Sequence, residues 1–284
     1  MNLFARINSL ENTTNTEKQI INFINQDPME FSRMTTDEIA KRCYVSKASI
    51  YRFCQKLGYS GLNEVKLMIT VSLTDRLAHE EVEVDFNRPF HKEDTDFSVL
   101  ATIRKLYEET IYYSSTHLDM KELYYSTQEL KKHKNILIFI DEKNYSVAEI
   151  FKNRMRMLGA NIEIPDNDFM KLSVAQFSSS EDIVIYGTDN PKLTMHQEFF
   201  KTFAGNNTKT ILISPSNDEN IVRKATYNLI MNTGEKPMPT IANFSSNLAF
   251  SFIFDVIYSL YFKKDYDLNL ENMKILYMKQ KMME

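Results

Sequence analysis

The sequence predicts two domains in series. An all-α domain over residues 1–77 precedes an α/β domain over residues 97–284, where five short strands form a doubly wound parallel sheet with helices on both faces. Three observations carry this. Two short, well-capped helices meet at a tight turn between Thr35 and Leu67. Five short apolar runs alternate with helical segments beyond residue 135. Charge divides between the halves: residues 1–77 hold ten Lys and Arg against eight Asp and Glu, and the remainder holds 24 against 30.

The start of the chain, MNLFARINSL, reads as a short amphipathic helix; one Arg and no long apolar core do not make a signal peptide. Thr16 to Gln26 follows as a helix with Ile20, Ile21, Phe23 and Ile24 on its apolar side, ended by Asp27-Pro28. Phe31 and Met34 are expected to pack back on it. Thr35 caps the next helix, and Glu38 three residues later closes a capping box. Cys43-Tyr44-Val45 makes the turn. Ser46 caps a second helix whose apolar face is Ala48, Ile50, Tyr51, Phe53, Cys54 and Leu57, and Gly58 stops it. Two helices so joined form a helix-turn-helix, which lays its second helix in the major groove of DNA. From Lys41 to Lys56 the charges are Lys41, Arg42, Lys47, Arg52 and Lys56, with no acid, in a chain of net charge −4. A basic patch confined to one element is the footprint of nucleic-acid binding. Lys47, Ala48, Ser49 and Arg52 are expected to face the groove, with Tyr51, Gln55 and Lys56 near base edges or phosphates and Thr35 and Ser46 at the helix starts. The partner implied is double-stranded operator DNA.

The segment VSKASIYRFCQKLGYSGLNEVKL resembles the N-terminal domain of the RpiR family of bacterial transcriptional regulators. Val45, Ser46, Arg52, Phe53, Cys54, Lys56, Leu57, Gly58, Ser60, Gly61, Glu64 and Lys66 fall on that family's pattern. The resemblance implies a following sugar isomerase (SIS) domain and control of sugar or amino-sugar catabolism genes by a phosphosugar.

Leu62 to about Leu77 continues as a helix. Residues 78–96, with seven acids between His79 and Asp96, read as an interdomain linker, with Val82, Val84 and Phe86 as an alternative short edge strand. Phe97–Ser114 and Leu118–Lys132 read as helices. The strands are Ile136–Ile140, Ile162–Ile164, Ile183–Tyr186, Ile211–Ile213 and Leu229–Met231, with helices over Val147–Leu158, Leu193–Phe203, Ala242–Phe262 and Leu268–Met278. This order is similar to a SIS domain. The helix over Ala242–Phe262 is apolar almost all round and is expected to contribute to a dimer surface.

SIS domains of this kind hold a sugar phosphate in two loops, of the forms GxGSS and SxSGET, after the first and third strands. Here the first loop falls on Ile140-Asp141-Glu142-Lys143-Asn144 and the second on Thr188-Asp189-Asn190-Pro191-Lys192-Leu193. Only Thr188 keeps a hydroxyl in register. A carboxylate about 5 Å from a phosphate charge costs ~3 kcal/mol per unit-charge pair at an effective dielectric near 20. An exposed helix N-terminus returns only ~0.3–1 kcal/mol. Lys143, Asn144, Thr188, Asn190 and Lys192 are the polar groups of any remaining site, and a neutral or cationic sugar derivative suits them better than a doubly anionic one. The other reading is that these loops are solvated turns in a domain kept for oligomerisation as a homodimer or homotetramer. A sugar-phosphate isomerase is disfavoured, because no carboxylate or histidine can be assigned as a base without a phosphate cradle.

No apolar run approaches the ~20 residues of a membrane span. Cys43 and Cys54 read as small core residues in a reducing, cytoplasmic setting. His79, His91, His117, His133 and His196 show no metal-ligand spacing, and no cofactor is expected.

Overall fold

The computed structural model describes residues 3–8, 10, 12–79, 84–190, 194–215, 222–236 and 238–282. The chain divides into two compact units: Met1–Glu83 with Phe90–Ile103, and Val84–Pro89 with Arg104–Glu284.

The first unit contains helices α1 (Leu3–Asn8), α2 (Asn15–Gln26), α3 (Pro28–Arg33), α4 (Thr36–Arg42), α5 (Lys47–Lys56) and α6 (Leu62–His79). Thr14 caps α2 and closes a capping box with Glu17; Thr35 does the same for α4 with Glu38. The short α3 is an addition to the sequence reading. Asp27 accepts the Glu30 N–H and Pro28 stands at the first helical position, so the dipeptide that ends α2 also starts α3. Leu3, Ile20, Ile24, Phe31, Ile39, Ile50, Phe53, Leu57, Val65 and Ile69 form one core from all six helices.

Helix α7 (Asp96–His117) leads into the second unit, which continues with α8 (Met120–Leu130), β1 (Asn135–Ile140), α9 (Tyr145–Arg156), β2 (Ile162–Glu163), α10 (Asp168–Phe177), β3 (Asp182–Gly187), α11 (Thr194–Gly205), β4 (Lys209–Ser214), β5 (Tyr227–Ile230), α12 (Phe244–Lys264) and α13 (Tyr266–Lys281). All strand pairs are parallel, in the order β2-β1-β3-β4-β5. Alternate strand residues serve opposite faces. Ile136, Ile138, Ile140, Ile183, Ile185, Ile211 and Ile213 pack with residues of α8, α9 and α12, while Leu137, Phe139, Val184, Tyr186 and Leu212 pack with residues of α10 and α11. Helices on both faces explain why the strands read as continuous apolar runs.

Helix α10 has no counterpart in the sequence reading. Part of the stretch read as a linker is built into the α/β unit: Asn87 is buried, and its Nδ2 donates to the carbonyls of Lys236 and Met238, each at 3.1 Å. Val84 and Phe86 lie outside any strand, and Val82 lies outside the described residues. Gly187, at the end of β3, is required there, since an added Cβ would lie 2.8 Å from the Phe250 ring on α12.

Candidate nucleic-acid interface and ligand site

In the first unit, α4 ends in a tight motif that sets the direction of α5. Val45 N–H donates to the Ala40 carbonyl at 2.9 Å and Tyr44 N–H to the Lys41 carbonyl at 3.2 Å. This pairing needs a left-handed residue, and Tyr44 takes that place with φ 53° where glycine is usual. Its side chain is 90% exposed. Ser46 then caps α5, accepting the Ser49 N–H at 3.1 Å, with the two hydroxyls 2.8 Å apart. Gly58, at φ 78°, closes α5 with the same motif: Tyr59 N–H reaches the Cys54 carbonyl at 3.0 Å.

Ile50, Phe53, Cys54 and Leu57 turn α5 into the core, which leaves Ala48, Tyr51, Arg52 and Gln55 exposed along one stripe. Ala48 and Tyr51, expected both on the apolar face and toward DNA, are therefore on the outer surface. Lys47 is exposed and pairs with Asp37 of α4 at 2.6 Å. Arg52 Nε donates to the Ala48 carbonyl at 3.3 Å, so its guanidinium lies along its own helix. Lys56 is tied to α2: its Nζ reaches Glu17 at 2.9 Å and the Asn12 carbonyl at 3.2 Å. Thr35 is engaged in its capping box. The stripe Ala48–Tyr51–Arg52–Gln55 begins at the helix N-terminus and borders a groove also lined by Lys47, Ser60, Gly61, Asn63 and Glu64. Both cysteines are free and buried; burial pushes both thiols up, that of Cys54 to about 11.

In the second unit, polar groups collect beyond the carboxyl ends of β1 and β3, the place where open parallel sheets bind ligands. Ile140 and Gly187 are register partners, so Asp141 and Thr188, the next residues, lie side by side. Thr188 Oγ1 donates to Asp141 Oδ2 at 3.0 Å, and Asp189 N–H donates to the same oxygen at 3.2 Å. Burial, reinforced by the Asp189 charge, raises the Asp141 carboxyl above its ordinary range. Lys143 pairs with Asp189. Asn144 is fully buried; its Oδ1 accepts from Asn243 Nδ2 at 3.1 Å, and its Nδ2 has no partner among the described residues. Asn190 is exposed and gives its N–H to Thr188 Oγ1 at 3.1 Å. Lys192 and Pro191 lie outside the described residues. The structure thus brings Lys143, Asn144 and Thr188 into one cluster with Asp141 and Asp189.

Three members of the cluster were missed. His196 of α11 is buried, with Nδ1 2.5 Å from the Tyr186 hydroxyl and Nε2 3.3 Å from Thr188 Oγ1. Burial lowers its pKa and raises that of Tyr186. Glu235, after β5, accepts the Ser246 N–H at 3.1 Å, and burial raises its carboxyl. Asn243 links this loop to the β1 loop. The only local signal for Glu235 was the preceding Gly234, which sits at φ 69° against Phe86.

Chemically, the first site presents hydrogen-bonding side chains on an exposed helix beside basic residues. The second is acidic: the hydroxyl and N–H at the end of β3, which could cradle an anion, are already occupied by an internal carboxylate.

The chain matches the family model described as helix-turn-helix domain, rpiR family, over residues 1–76 and that of the SIS domain over residues 129–260. An uncharacterised HTH-type transcriptional regulator of Haemophilus influenzae is 26% identical over 270 residues, covering 94% of this chain and 92% of that one. Among solved structures, NanR of Vibrio vulnificus, complexed with ManNAc-6P, is similar with a TM-score of 0.57 at 13% identity, covering 98% of this chain and 99% of that one. The sugar isomerase domain of an RpiR transcription factor from Sphaerobacter thermophilus gives a TM-score of 0.55 at 9% identity, covering 63% of this chain and 98% of that one. At these identities the structures speak for the fold.

Proposed function

Because the chain belongs to the RpiR family of transcriptional regulators, a helix-turn-helix domain joined to a SIS domain, we propose that α5 reads operator DNA and that the SIS unit assembles the protein and senses a sugar derivative that is not a simple phosphosugar. The protein works in the cytoplasm as a homodimer or homotetramer. The observation that carries the DNA reading is the exposed stripe Ala48, Tyr51, Arg52 and Gln55 on a helix whose other side is fully used by the core. Such a helix places its N-terminal half against base edges and leaves Lys47 and Lys56 for phosphates once their acidic partners are exchanged. The buried, thiol-bearing cysteines fit a reducing compartment. Fluorescence titration of promoter DNA from the chain's own genetic neighbourhood tests this reading; equal affinity for promoter and scrambled DNA would refute it.

The effector reading rests on Asp141. NanR of Vibrio vulnificus is complexed with ManNAc-6P, but here the groups that would receive a phosphate hold Asp141 instead. A neutral or amine-bearing sugar derivative meets no such repulsion, and Asn144 Nδ2 offers it a buried donor. Genes of sugar or amino-sugar metabolism are the fitting targets. Catalysis is not part of the proposal. His196 is committed to Tyr186 and Thr188, and Glu235 to the start of α12, so neither stands free as a base.

A further inference from the structure

We propose that α13 is a self-association surface, on which two copies of the chain pack antiparallel about a two-fold axis beside Ile275. This names a surface and register beyond the dimer expected of the regulator, and it stands independently of the DNA and effector readings.

Helix α12 is consumed by its own unit. Its residues Ala249, Phe250, Ile253, Phe254 and Ile257 are fully buried in the sheet core, which accounts for most of its apolar face, while Phe252, Val256, Leu260 and Tyr261 are half-buried. Helix α13 is the reverse. Asn269 is its only buried residue, holding the first turn to α12 by donating Nδ2 to the Phe262 carbonyl at 3.0 Å. Several of its apolar side chains lack cover: Leu268 is 60% exposed, Ile275 46%, Met278 61% and Met282 87%, with Leu276 and Tyr277 exposed on other faces. At 100° per residue the first four form one stripe along the helix, with Glu271 among them. A stripe of this kind, left open, marks a binding surface.

The charges say what covers it. They are segregated along the axis, not around it. Asp267 and Glu271 lie in the first half, Lys274, Lys279 and Lys281 in the second, and Asp267, Glu271, Lys274 and Lys279 have no ion pair among the described residues. A membrane-surface helix instead carries its basic residues along one polar face. Axial segregation is complementary to itself only when a second copy runs antiparallel. The apolar spacing fits the same operation. Leu268 and Met282 are equally far before and after Ile275, about 10 Å each way at 1.5 Å per residue. A two-fold axis beside Ile275 therefore sets Ile275 on Ile275 and Leu268 on Met282 of the second copy. Asp267, on one flank of the stripe, then runs alongside Lys281 of the second copy, and Glu271, within the stripe, comes level with Lys279 of the second copy.

Cysteine cross-linking of the full chain tests this. The two native thiols are buried and raised in pKa, so an introduced surface cysteine is the reactive one. Ile275→Cys should give a disulfide-linked dimer under mild oxidation, and Gln280→Cys, on the opposite side of α13, should not. Lys281→Glu should weaken association several-fold by analytical ultracentrifugation, and adding Asp267→Lys should restore it. All these positions are exposed, and circular dichroism confirms that each variant is folded. Absence of a covalent Ile275→Cys dimer in folded protein, equal cross-linking by Gln280→Cys, or failure of the charge exchange to restore association would overturn the proposal.

Discussion

Thr188 donates its hydroxyl to the Asp141 carboxylate at 3.0 Å, across 47 positions of sequence and between the ends of two paired strands. The bond gives the β3 loop an anion of its own. Phosphate arriving there would have to displace Asp141 and face its charge, at ~3 kcal/mol per unit-charge pair about 5 Å apart. Lys143 does not remove this cost, because it is already paired with Asp189.

Exchange of Asp141 for a neutral residue should therefore open the loop to anions. Asp141→Ser is expected to bind sugar phosphates that the parent protein ignores, with ~2.7 kcal/mol of added stability at 100-fold excess over the dissociation constant. Thermal-shift screening against a panel of sugar phosphates reads this. A clear shift in the unmodified protein, abolished by Thr188→Val, would show that the phosphate site works with Asp141 in place.

Tyr44 is held at φ 53° with its ring in solvent. A left-handed conformation costs a non-glycine residue about 1–2 kcal/mol. Tyr44→Gly should raise stability by about 1 kcal/mol in urea unfolding. If the ring meets DNA beside the recognition helix, the same variant binds promoter DNA more weakly. Greater stability with unchanged DNA affinity would assign Tyr44 no part in the interface.

Gly187 leaves no room for a side chain, since a Cβ would come within 2.8 Å of Phe250. Gly187→Ala should destabilise the α/β unit by about 1–3 kcal/mol through overpacking, measured as a lower unfolding midpoint. A midpoint equal to the parent's would mean that α12 moves aside freely.

His196 makes stability depend on pH. Its folded-state pKa lies below the ordinary 6.5 because the ring is buried. Below pH 6.5 the unfolded chain takes up a proton that the folded one refuses, so this contribution is present above 6.5 and is lost as pH falls. Asp141 and Glu235, whose carboxyls are raised, act with opposite sign from their unfolded values upward. The difference between parent and His196→Gln isolates the imidazole. The parent should lose more stability than the variant from pH 7 to pH 5.5; parallel loss would exclude His196 as the cause.

Much of the fold was legible because its signals are local. Thr35 with Glu38, Ser46, and Gly58 each fix a helix end within a few residues, and the apolar runs of β1, β3 and β4 are buried on both faces. Helix α10 was not legible, since Phe169, Leu172 and Phe177 are exposed and Ala175 is its only buried residue, which leaves no apolar periodicity to read. Residues 84–89 look like a charged linker, and only the long-range bonds of Asn87 to the loop after β5 reveal their place. In the candidate sites, the loops after β1 and β3 could be located by counting. The Asp141–Thr188 bond, the Tyr186–His196 pair and Glu235 could not, because strand register, not sequence proximity, brings them together.

The central claim is that α5 reads DNA through its exposed stripe, and Arg52 tests it most directly. In a fluorescence titration of labelled promoter DNA, Arg52→Ala should lose ~1–3 kcal/mol of specific affinity, as expected when an arginine leaves a guanine edge, while its unfolding midpoint stays at the parent value because, among the described residues, the side chain bonds only its own helix. Unchanged affinity for the promoter, in a variant that remains folded, would contradict the assignment of this face as the reading surface.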